Sequence, residues 1–213
     1  MSSFRRKPRP LSREEQTYRD DTLLVVACED RYAPAQYFSF LPNERVKILP
    51  LPTLDTRSNP SDILNRLLTF QQEHDLKAFD QLWLALDRDH WADGSHRKAL
   101  AEVCKECQQR GIEIAMSSPC FDLWLLLHQR DITHHNAPMN GAEVAKMFRE
   151  TAGEFNKKRL RQEHYPPQSI RDALDRARAL DIEPENWFPE SPCTRIYRIV
   201  EQAVAKDFIR LRE

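Results

Sequence analysis

The sequence lacks an apolar run long enough to cross a bilayer, since a membrane helix needs about 20 consecutive apolar residues. Its longest apolar stretches are residues 23–28, 82–86 and 123–127. Residues 1–10 are basic and proline-rich, but they contain neither an apolar centre nor a small-residue cleavage site, so they do not read as a secretory signal. We therefore expect a cytoplasmic protein with no membrane partner.

Disulfide-type cysteine spacing and a strong net charge are also lacking. The five cysteines are odd in number and scattered, which indicates free thiols in a reducing compartment. A net charge of -1 gives no overall attraction to nucleic acid, so phosphate binding would depend on local basic clusters. Two such clusters, each also typical of a solvated surface, are Arg5, Arg6, Lys7 and Arg9, and Lys157, Lys158, Arg159 and Arg161.

Alternating strand and helix patterns predict an α/β fold. We predict strands at residues 22–28, 45–51, 81–86 and 112–116, with helices at 33–40, 60–74 and 95–110 between them. Asn59-Pro60 and Ser95 are start signals, and Gly111 is a left-handed stop. This alternation indicates a parallel sheet of about four strands with helices on both faces, joined by right-handed crossovers.

Three regions are predicted along the 213 residues. Residues 1–20 have almost no apolar periodicity and are expected to form a flexible basic arm. Residues 21–130 contain the α/β pattern. Residues 131–213 are expected to form a helical region packed on it, with a buried helix at 121–127 before it and helices at 141–151, 169–180 and 194–211.

Acidic residues follow two of the predicted strands. Glu29 ends the first strand, and Asp87 and Asp89 follow the third. Ligands of parallel α/β sheets bind outside the carboxyl ends of the strands, so these carboxylates are expected to share one pocket. Clustered carboxylates repel one another unless a cation neutralises them, and all-oxygen ligation favours Mg²⁺ or Mn²⁺. Such an ion can hold a phosphodiester and activate water.

An isolated D-x-D is more often a pair of loop carboxylates facing water. An apolar strand followed by D-x-D is also the nucleophile motif of haloacid dehalogenase phosphatases, as in L-A-L-D-R-D at residues 84–89. That motif normally opens its domain, whereas here two strand–helix units precede it.

Three stretches of the sequence resemble motifs of the RloB-like family. An apolar strand followed by C-E-G and then an aromatic pair is similar to V-V-A-C-E-D at residues 25–30 with Tyr37 and Phe38. The family's D-x-D motif is similar to D-R-D-H at residues 87–90. The most specific likeness is S-N-P-x-F-E-L-W-L-L-L-H, which resembles S-S-P-C-F-D-L-W-L-L-L-H at residues 117–128. A weaker similarity at residues 191–197 extends the resemblance to most of the chain.

This resemblance implies a Toprim-like fold and a role in bacterial defence. RloB-like proteins are Toprim-related and lie near restriction and phage-defence genes, some beside an ATPase of the ABC or AAA type. We therefore expect a Toprim-like parallel sheet of about four strands with flanking helices, plus a C-terminal helical region. Asp30 replaces the usual glycine, and Ala33 and Pro34 replace a usual T-E pair, so one carboxylate of the family pattern is missing.

Further residues are assigned around this acidic site. Asp30 is a candidate additional metal ligand, and Asp122 either caps a helix or reaches the site. His90 is either a proton donor or a loop histidine. The candidate nucleic-acid contacts are Arg88, Lys157, Lys158, Arg195 and Arg198, with an exposed position favoured for the last two. His128 is interpreted as a structural histidine, and Cys104 and Cys107 as core residues.

The leading hypothesis is a Mg²⁺- or Mn²⁺-dependent nuclease that hydrolyses DNA or RNA as an effector of anti-phage defence. Glu29, Asp87, Asp89 and His90 would form its catalytic site. The resemblance implies an ATPase partner, and a homo-oligomer is compatible with the sequence. The alternative is a binding or regulatory subunit that keeps the Toprim fold but has lost effective catalysis, as the missing T-E pair allows.

Overall fold

A five-stranded sheet lies at the centre of the fold. The computed structural model describes residues 21–41, 46–53, 59–89, 94–135, 137–153 and 156–205. The strands are β1 (Thr22–Cys28), β2 (Val46–Leu51), β3 (Gln81–Asp87), β4 (Glu113–Ser118) and β5 (Cys193–Thr194). Their order is β2-β1-β3-β4-β5, with the first four parallel and β5 antiparallel to β4. The predicted α/β architecture is confirmed, and β5 is an addition that the sequence did not predict.

Helices cover both faces of this sheet. They are α1 (Ala33–Ser39), α2 (Pro60–Glu73), α3 (Gly94–Arg110), α4 (Asp122–Leu127), α5 (Gly141–Ala152), α6 (Pro167–Leu180) and α7 (Ile196–Ala205), with a short 3₁₀ helix at Gln162–His164. One apolar core lies between the sheet and α2 with α3, and the other contains α1 and α4 to α7. Because both faces are covered, β1 and β3 are almost continuously apolar.

Local signals fix several helix ends. Asn59 accepts a hydrogen bond from the Asp62 amide at 2.9 Å, and Pro60 is the first helical residue, which confirms the predicted start of α2. Gly111 has φ of 67°, the left-handed conformation predicted for the end of α3. The start of α3 differs slightly, because the helix begins at Gly94 rather than after a cap at Ser95.

The C-terminal helices share a core with the first helix of the chain. Tyr37 and Phe38 of α1 belong to the same buried cluster as Phe148 of α5 and Ile199 of α7. The domain boundary predicted near residue 130 stays a prediction. This buried cluster contains residues from both sides of it. The predicted arm at residues 1–20 lies outside the described residues. No helix in the described part of the chain is long and apolar enough to span a membrane.

The strand order places a topological switch point between β1 and β3. From β1 the chain crosses to β2 on one side, and the next strand, β3, returns to the other side of β1. The two crossovers therefore leave a crevice beyond the carboxyl ends of β1 and β3, where doubly wound sheets bind their ligands. Glu29 follows β1, and Asp87 is the last residue of β3.

Candidate functional site

The ends of β1 and β3 hold the central carboxylates side by side. Cys28 and Ala85 are register partners, and the Glu29 amide donates to the Ala85 carbonyl at 3.1 Å. The Glu29 side chain then crosses to the neighbouring strand, where Oε2 accepts a hydrogen bond from the Asp87 amide at 3.1 Å. The parallel pairing thus brings Glu29 and Asp87 together although they lie 58 residues apart.

Asp87 is the electrostatic centre of the cluster. Its Oδ1 accepts a hydrogen bond from the Phe121 amide at 2.9 Å, which fixes the carboxylate between β3 and α4. Burial raises its pKa well above the usual value. Four neighbouring carboxylates raise it further, in the order Glu29, Asp89, Asp122 and Asp30. Carboxyl groups therefore crowd the switch point, and burial together with their mutual repulsion favours the protonated form of Asp87 when no cation is present.

Asp89 lies against the first turn of α5. Its amide donates to the Pro119 carbonyl at 3.2 Å, which folds the loop after β3 over the end of β4. A Cβ atom at Gly141, the first residue of α5, would lie 3.4 Å from Asp89 Oδ2. Glycine therefore lets the helix approach the carboxylate closely, and the positive end of the helix favours this charge. The sequence assigned Gly141 only to a helix start.

Asp122 is a buried carboxylate at the start of α4 and is only 9% exposed. Its Oδ1 has no hydrogen-bond partner among the described residues. Burial raises its pKa to about 6; Lys157 acts against this rise, while Asp30 and Asp89 add to it. The N-cap is Phe121, so Asp122 is the first residue of α4 and not its cap. Asp30 and Asp89 act on it electrostatically, which places it near the acidic cluster, and its role as a metal ligand stays a prediction.

Asp30 has both carboxylate oxygens engaged by the protein itself. Oδ1 accepts from the amides of Tyr32 at 2.7 Å and Ala33 at 3.0 Å, which fixes the start of α1. Oδ2 forms an ion pair with Lys157 Nζ at 2.9 Å. The position after the strand-one glutamate therefore anchors a helix and a lysine, and a role of Asp30 as a metal ligand stays a prediction.

The family assignment rests on a match over most of this fold. The sequence profile of RloB-like proteins matches residues 24–202 of the 213-residue chain. The chain belongs to the RloB-like family. The matched region begins in β1 and ends in α7, so it contains all five carboxylates. No curated protein and no solved structure matches the chain significantly.

A basic group borders the acidic cluster of this RloB-like protein. Lys158 Nζ lies 5.3 Å from the centre of the Tyr32 ring, and the Arg31 guanidinium carbon lies 5.4 Å from it. Lys157 joins them through its ion pair with Asp30. We call Arg31, Lys157 and Lys158 the basic rim. The sequence identified the two lysines, but not Arg31 or the ring that gathers the side chains.

The interpretation of Arg195 as an exposed residue is wrong. Its side chain is buried, and its guanidinium forms a two-oxygen ion pair with Asp181, the shortest contact being Nη2 to Oδ1 at 2.9 Å. It also donates to the carbonyls of Glu183 at 2.7 Å and Asn186 at 2.5 Å. Because these partners surround the side chain, its geometry argues against the predicted contact with nucleic acid.

Arg198 and Arg88 are also held by internal partners. Arg198 Nη2 donates to Asp181 Oδ2 at 3.0 Å and to the Pro184 carbonyl at 2.9 Å, although part of its side chain remains exposed. Arg88 donates from Nη1 to the Pro189 carbonyl, tying the loop after β3 to the segment before β5. Their roles as nucleic-acid contacts stay predictions. His90, the remaining catalytic candidate, lies outside the described residues.

Arg66 is a cation near the site that the sequence analysis missed. Its Nη2 donates to the carbonyl of Cys28 at 3.0 Å and to Thr53 Oγ1 at 3.2 Å, so α2 contacts the end of β1. Arg66 stands three residues after Ile63 and four before Phe70, within the apolar stripe of the predicted helix. An arginine on a core-facing stripe was the available signal, because it must extend to a polar partner.

Two interpretations of core residues are confirmed. His128 is buried and hydrogen-bonded through both ring nitrogens, as expected of a structural histidine. Cys104 and Cys107 are buried in the core between α2, α3 and the sheet, as predicted.

The donor chemistry of the acidic cluster suits a hard divalent ion. Its ligand atoms would all be carboxylate oxygens, which favour Mg²⁺ or Mn²⁺. The unsatisfied, buried Oδ1 of Asp122 is an oxygen that a cation would satisfy. Among the described residues, no group of three or more His, Cys, Asp or Glu side chains is already positioned around one metal ion. The cluster fits such an ion in charge and chemistry, and binding would require its side chains to converge.

Proposed function

We propose that this RloB-like protein is a Mg²⁺- or Mn²⁺-dependent nuclease that hydrolyses phosphodiester bonds in DNA or RNA. The observation that carries the proposal is the buried, unpartnered Oδ1 of Asp122 beside a switch-point cluster of carboxylates. Leaving a buried charged oxygen unsatisfied is costly, so such an arrangement persists where a ligand completes it. A divalent cation is a ligand that suits this group of carboxylates in charge and chemistry.

Four carboxylates from different elements would hold the ion. Glu29 and Asp87 are fixed by backbone hydrogen bonds and provide the rigid part of the site. Asp89 and Asp122 approach from the loop after β3 and from α4. When bound, Mg²⁺ would neutralise charge on a phosphodiester and activate a water molecule. Asp30 keeps the start of α1 in place beside the site.

The basic rim provides the complementary charge for a nucleic-acid backbone. Arg31 and Lys158 are exposed, and Lys157 is half-exposed, so all three can reach a phosphate. Arg31 and Lys158 contact the Tyr32 ring, and Lys157 pairs with Asp30, so all three lie beside the acidic cluster. Lysine and arginine contacts of this kind fix the backbone without reading sequence, which suits cleavage of DNA or RNA.

Membership of the RloB-like family supports the cellular part of the proposal. We infer that the protein has a Toprim-related fold and acts as an effector in anti-phage defence. Its partner would be an ATPase of the ABC or AAA type that activates the nuclease.

A second candidate is a regulatory subunit with little or no catalysis. Two observations favour it. Ala33 and Pro34, where the family usually has a T-E pair, are buried at the start of α1, so this position offers no carboxylate. Lys157 also places a positive charge against the acidic cluster, through its ion pair with Asp30. Such a protein would bind nucleic acid through its basic rim and leave hydrolysis to a partner.

Mn²⁺ titration of the wild type and of Asp87→Asn tests the proposal. The substitution keeps an oxygen that accepts from Phe121, but removes the charge at the centre of the cluster. We expect it to lower Mn²⁺ affinity and cleavage by at least about tenfold to a hundredfold, the loss reported for residues that merely orient metal ligands. Isothermal titration calorimetry and gel assays with single- and double-stranded DNA and RNA provide the measurements.

Asp75→Asn is the matched control for the same chemical change. Asp75 precedes β3 at the opposite edge of the sheet, and its side chain is 90% exposed. It should leave both measurements unchanged. Binding of Mn²⁺ without cleavage, even with the partner ATPase, would favour the regulatory candidate. A wild type that binds no Mn²⁺ would overturn the nuclease proposal.

A further inference from the structure

A lysine ammonium already lies against the acidic cluster. Lys157 Nζ is 2.9 Å from Asp30 Oδ2, and the carboxylates of Asp122 and Asp87 also stabilise its charge. The Asp30 side chain is only 7% exposed, whereas that of Lys157 is 49% exposed. The carboxylate is thus fixed inside the site, and the lysine can leave it towards solvent.

The backbone that presents Lys157 is clamped onto α1 by Gln36. The Gln36 Nε2 group donates to the Lys157 carbonyl at 2.9 Å and to the Tyr32 carbonyl at 2.9 Å. Its Oε1 accepts from the Leu160 amide at 2.9 Å. One side chain therefore holds both ends of the segment 157–160, which lies between α5 and the 3₁₀ helix in the chain. These hydrogen bonds therefore fix the backbone position of Lys157 relative to α1.

A divalent ion and this ammonium would compete for the negative charge of the same cluster, since Asp30 contacts the lysine and Asp122 and Asp87 stabilise it at a distance. Two cations close together repel each other, and the repulsion is strong where burial limits screening by water and salt. A lysine side chain is long and flexible, so it can withdraw without moving the clamped backbone. On withdrawal, Nζ would remain beside Arg31 and Lys158 on the basic rim.

We propose that Lys157 is an internal counter-cation that holds the acidic cluster until a divalent ion displaces it and then binds the phosphate of the substrate. This inference rests on the proposed function and adds a regulatory step to the same site. Occupation by lysine lowers affinity for the free ion, and the released ammonium couples ion entry to substrate binding. The ammonium of Lys157 would then be free to bind substrate phosphate only when the ion is present.

Lys157→Gln separates this role from that of an ordinary phosphate contact. Removing the competing charge should tighten Mn²⁺ binding by about fivefold, the factor expected for one partly exposed charge pair. Cleavage should fall, because the phosphate contact is lost. Mn²⁺ affinity is measured directly by calorimetry and by the electron paramagnetic resonance signal of free Mn²⁺, so this readout does not depend on activity.

Two controls use the same segment. Lys158→Gln removes a neighbouring charge that rests on Tyr32 rather than on a carboxylate, so Mn²⁺ affinity should change by less than about twofold. Lys157→Arg keeps the charge and should keep the affinity of the wild type. Thermal unfolding in EDTA adds a second readout: Lys157→Gln should lower the Tm, and saturating Mn²⁺ should raise the Tm of this variant more than that of the wild type.

The outcomes distinguish this inference from the proposal on which it depends. If the wild type binds Mn²⁺ and cleaves nucleic acid, but Lys157→Gln binds Mn²⁺ equally or more weakly, the counter-cation role is wrong and the nuclease proposal stands. If neither protein binds Mn²⁺, both proposals fail. Tighter binding by Lys157→Gln together with weaker cleavage supports the exchange of cations.

Discussion

The imidazole of His128 is held in the core in one protonation state. Its Nδ1 lies 2.9 Å from the Trp124 carbonyl, which can only accept, so Nδ1 carries the proton and donates. Nε2 therefore accepts from the Tyr37 hydroxyl at 3.0 Å. Burial lowers the pKa of His128 to about 3, and the nearby Arg176 acts in the same direction. The neutral ring thus connects α1 to the end of α4.

This burial makes the stability of the protein depend on pH. An unfolded histidine takes up a proton below about pH 6.5, whereas His128 in the native state resists protonation until about pH 3. Acid therefore stabilises the unfolded state over this window. We expect His128 to add a slope approaching about 1.4 kcal/mol per pH unit to the free energy of unfolding, with stability falling as pH falls.

His128→Gln should remove this slope although it lowers stability at neutral pH. Urea unfolding between pH 7 and pH 4 measures the difference. His74→Gln is the control, since His74 is exposed at the end of α2. Equal pH slopes in the wild type and in His128→Gln would contradict the assignment of a neutral, buried imidazole.

At the scale of secondary-structure elements, one buried carboxylate joins α6 to α7. Asp181, which follows α6, accepts hydrogen bonds from Arg195, from the Tyr197 hydroxyl at 3.0 Å and from Arg198. Burial opposes ionisation of Asp181, but these donors more than offset it and hold its pKa below the usual value. The Arg195 amide also donates to the Met116 carbonyl of β4 at 3.0 Å, which continues the pairing of β5.

Arg195→Lys should destabilise the protein although the positive charge is kept. The ammonium cannot reproduce the planar fork that contacts Asp181, Glu183 and Asn186 together. We expect a loss of about 2 kcal/mol in the free energy of unfolding, because hydrogen bonds made by the charged guanidinium are lost and buried acceptors are left without a donor. Arg178→Lys changes a surface arginine that pairs with Asp175 and Glu201, and it should cost less than about 1 kcal/mol. Similar losses of stability in the two variants would show that the buried hydrogen bonds of Arg195 contribute no more than a surface ion pair.

At the scale of the whole molecule, positive and negative charges are separated in space although the net charge is small. The net charge is only -1, yet the carboxyl edge of the sheet joins the acidic cluster to the basic rim. Under the proposed function, nucleic acid would be attracted locally by the basic rim and repelled by the carboxylates in the absence of an ion. Binding should therefore depend on a few phosphate contacts.

The salt dependence of binding tests this arrangement. The double variant Arg31→Gln with Lys158→Gln should reduce the slope of log K against log salt by about 1.4 to 1.8, since each phosphate contact contributes about 0.7 to 0.9. The effect should be the same for different sequences. Fluorescence anisotropy with Ca²⁺ in place of Mg²⁺ measures binding without cleavage.

Lys47→Gln with Lys77→Gln removes the same charge from the amino-terminal edge of the sheet. Lys47 pairs with Asp21, and Lys77 pairs with Asp75, away from the site. This control should leave the slope unchanged. An equal change in the two double variants would mean that binding is not localised at the basic rim.

Local sequence signals were sufficient for the main elements. Continuous apolar runs gave β1 and β3, helical periodicity gave α2 and α3, and Asn59 and Gly111 marked helix ends. A general rule about parallel sheets then placed Glu29 and Asp87 at one edge. These inferences succeeded because they depend on backbone geometry that neighbouring residues largely determine.

Other features depended on contacts between distant parts of the chain. The two residues of β5 are too few to show a period, and their pairing with Ser117 and Ser118 is a tertiary contact. Lys157 reaches Asp30 across 127 residues, and the buried position of Arg195 depends on Asp181. The sequence by itself determined the succession of strands and helices along the chain and the edge of the sheet at which Glu29 and Asp87 lie. Only the tertiary structure decided which charged side chains form ion pairs. The partner of a side chain is selected by packing and desolvation and not by local propensity.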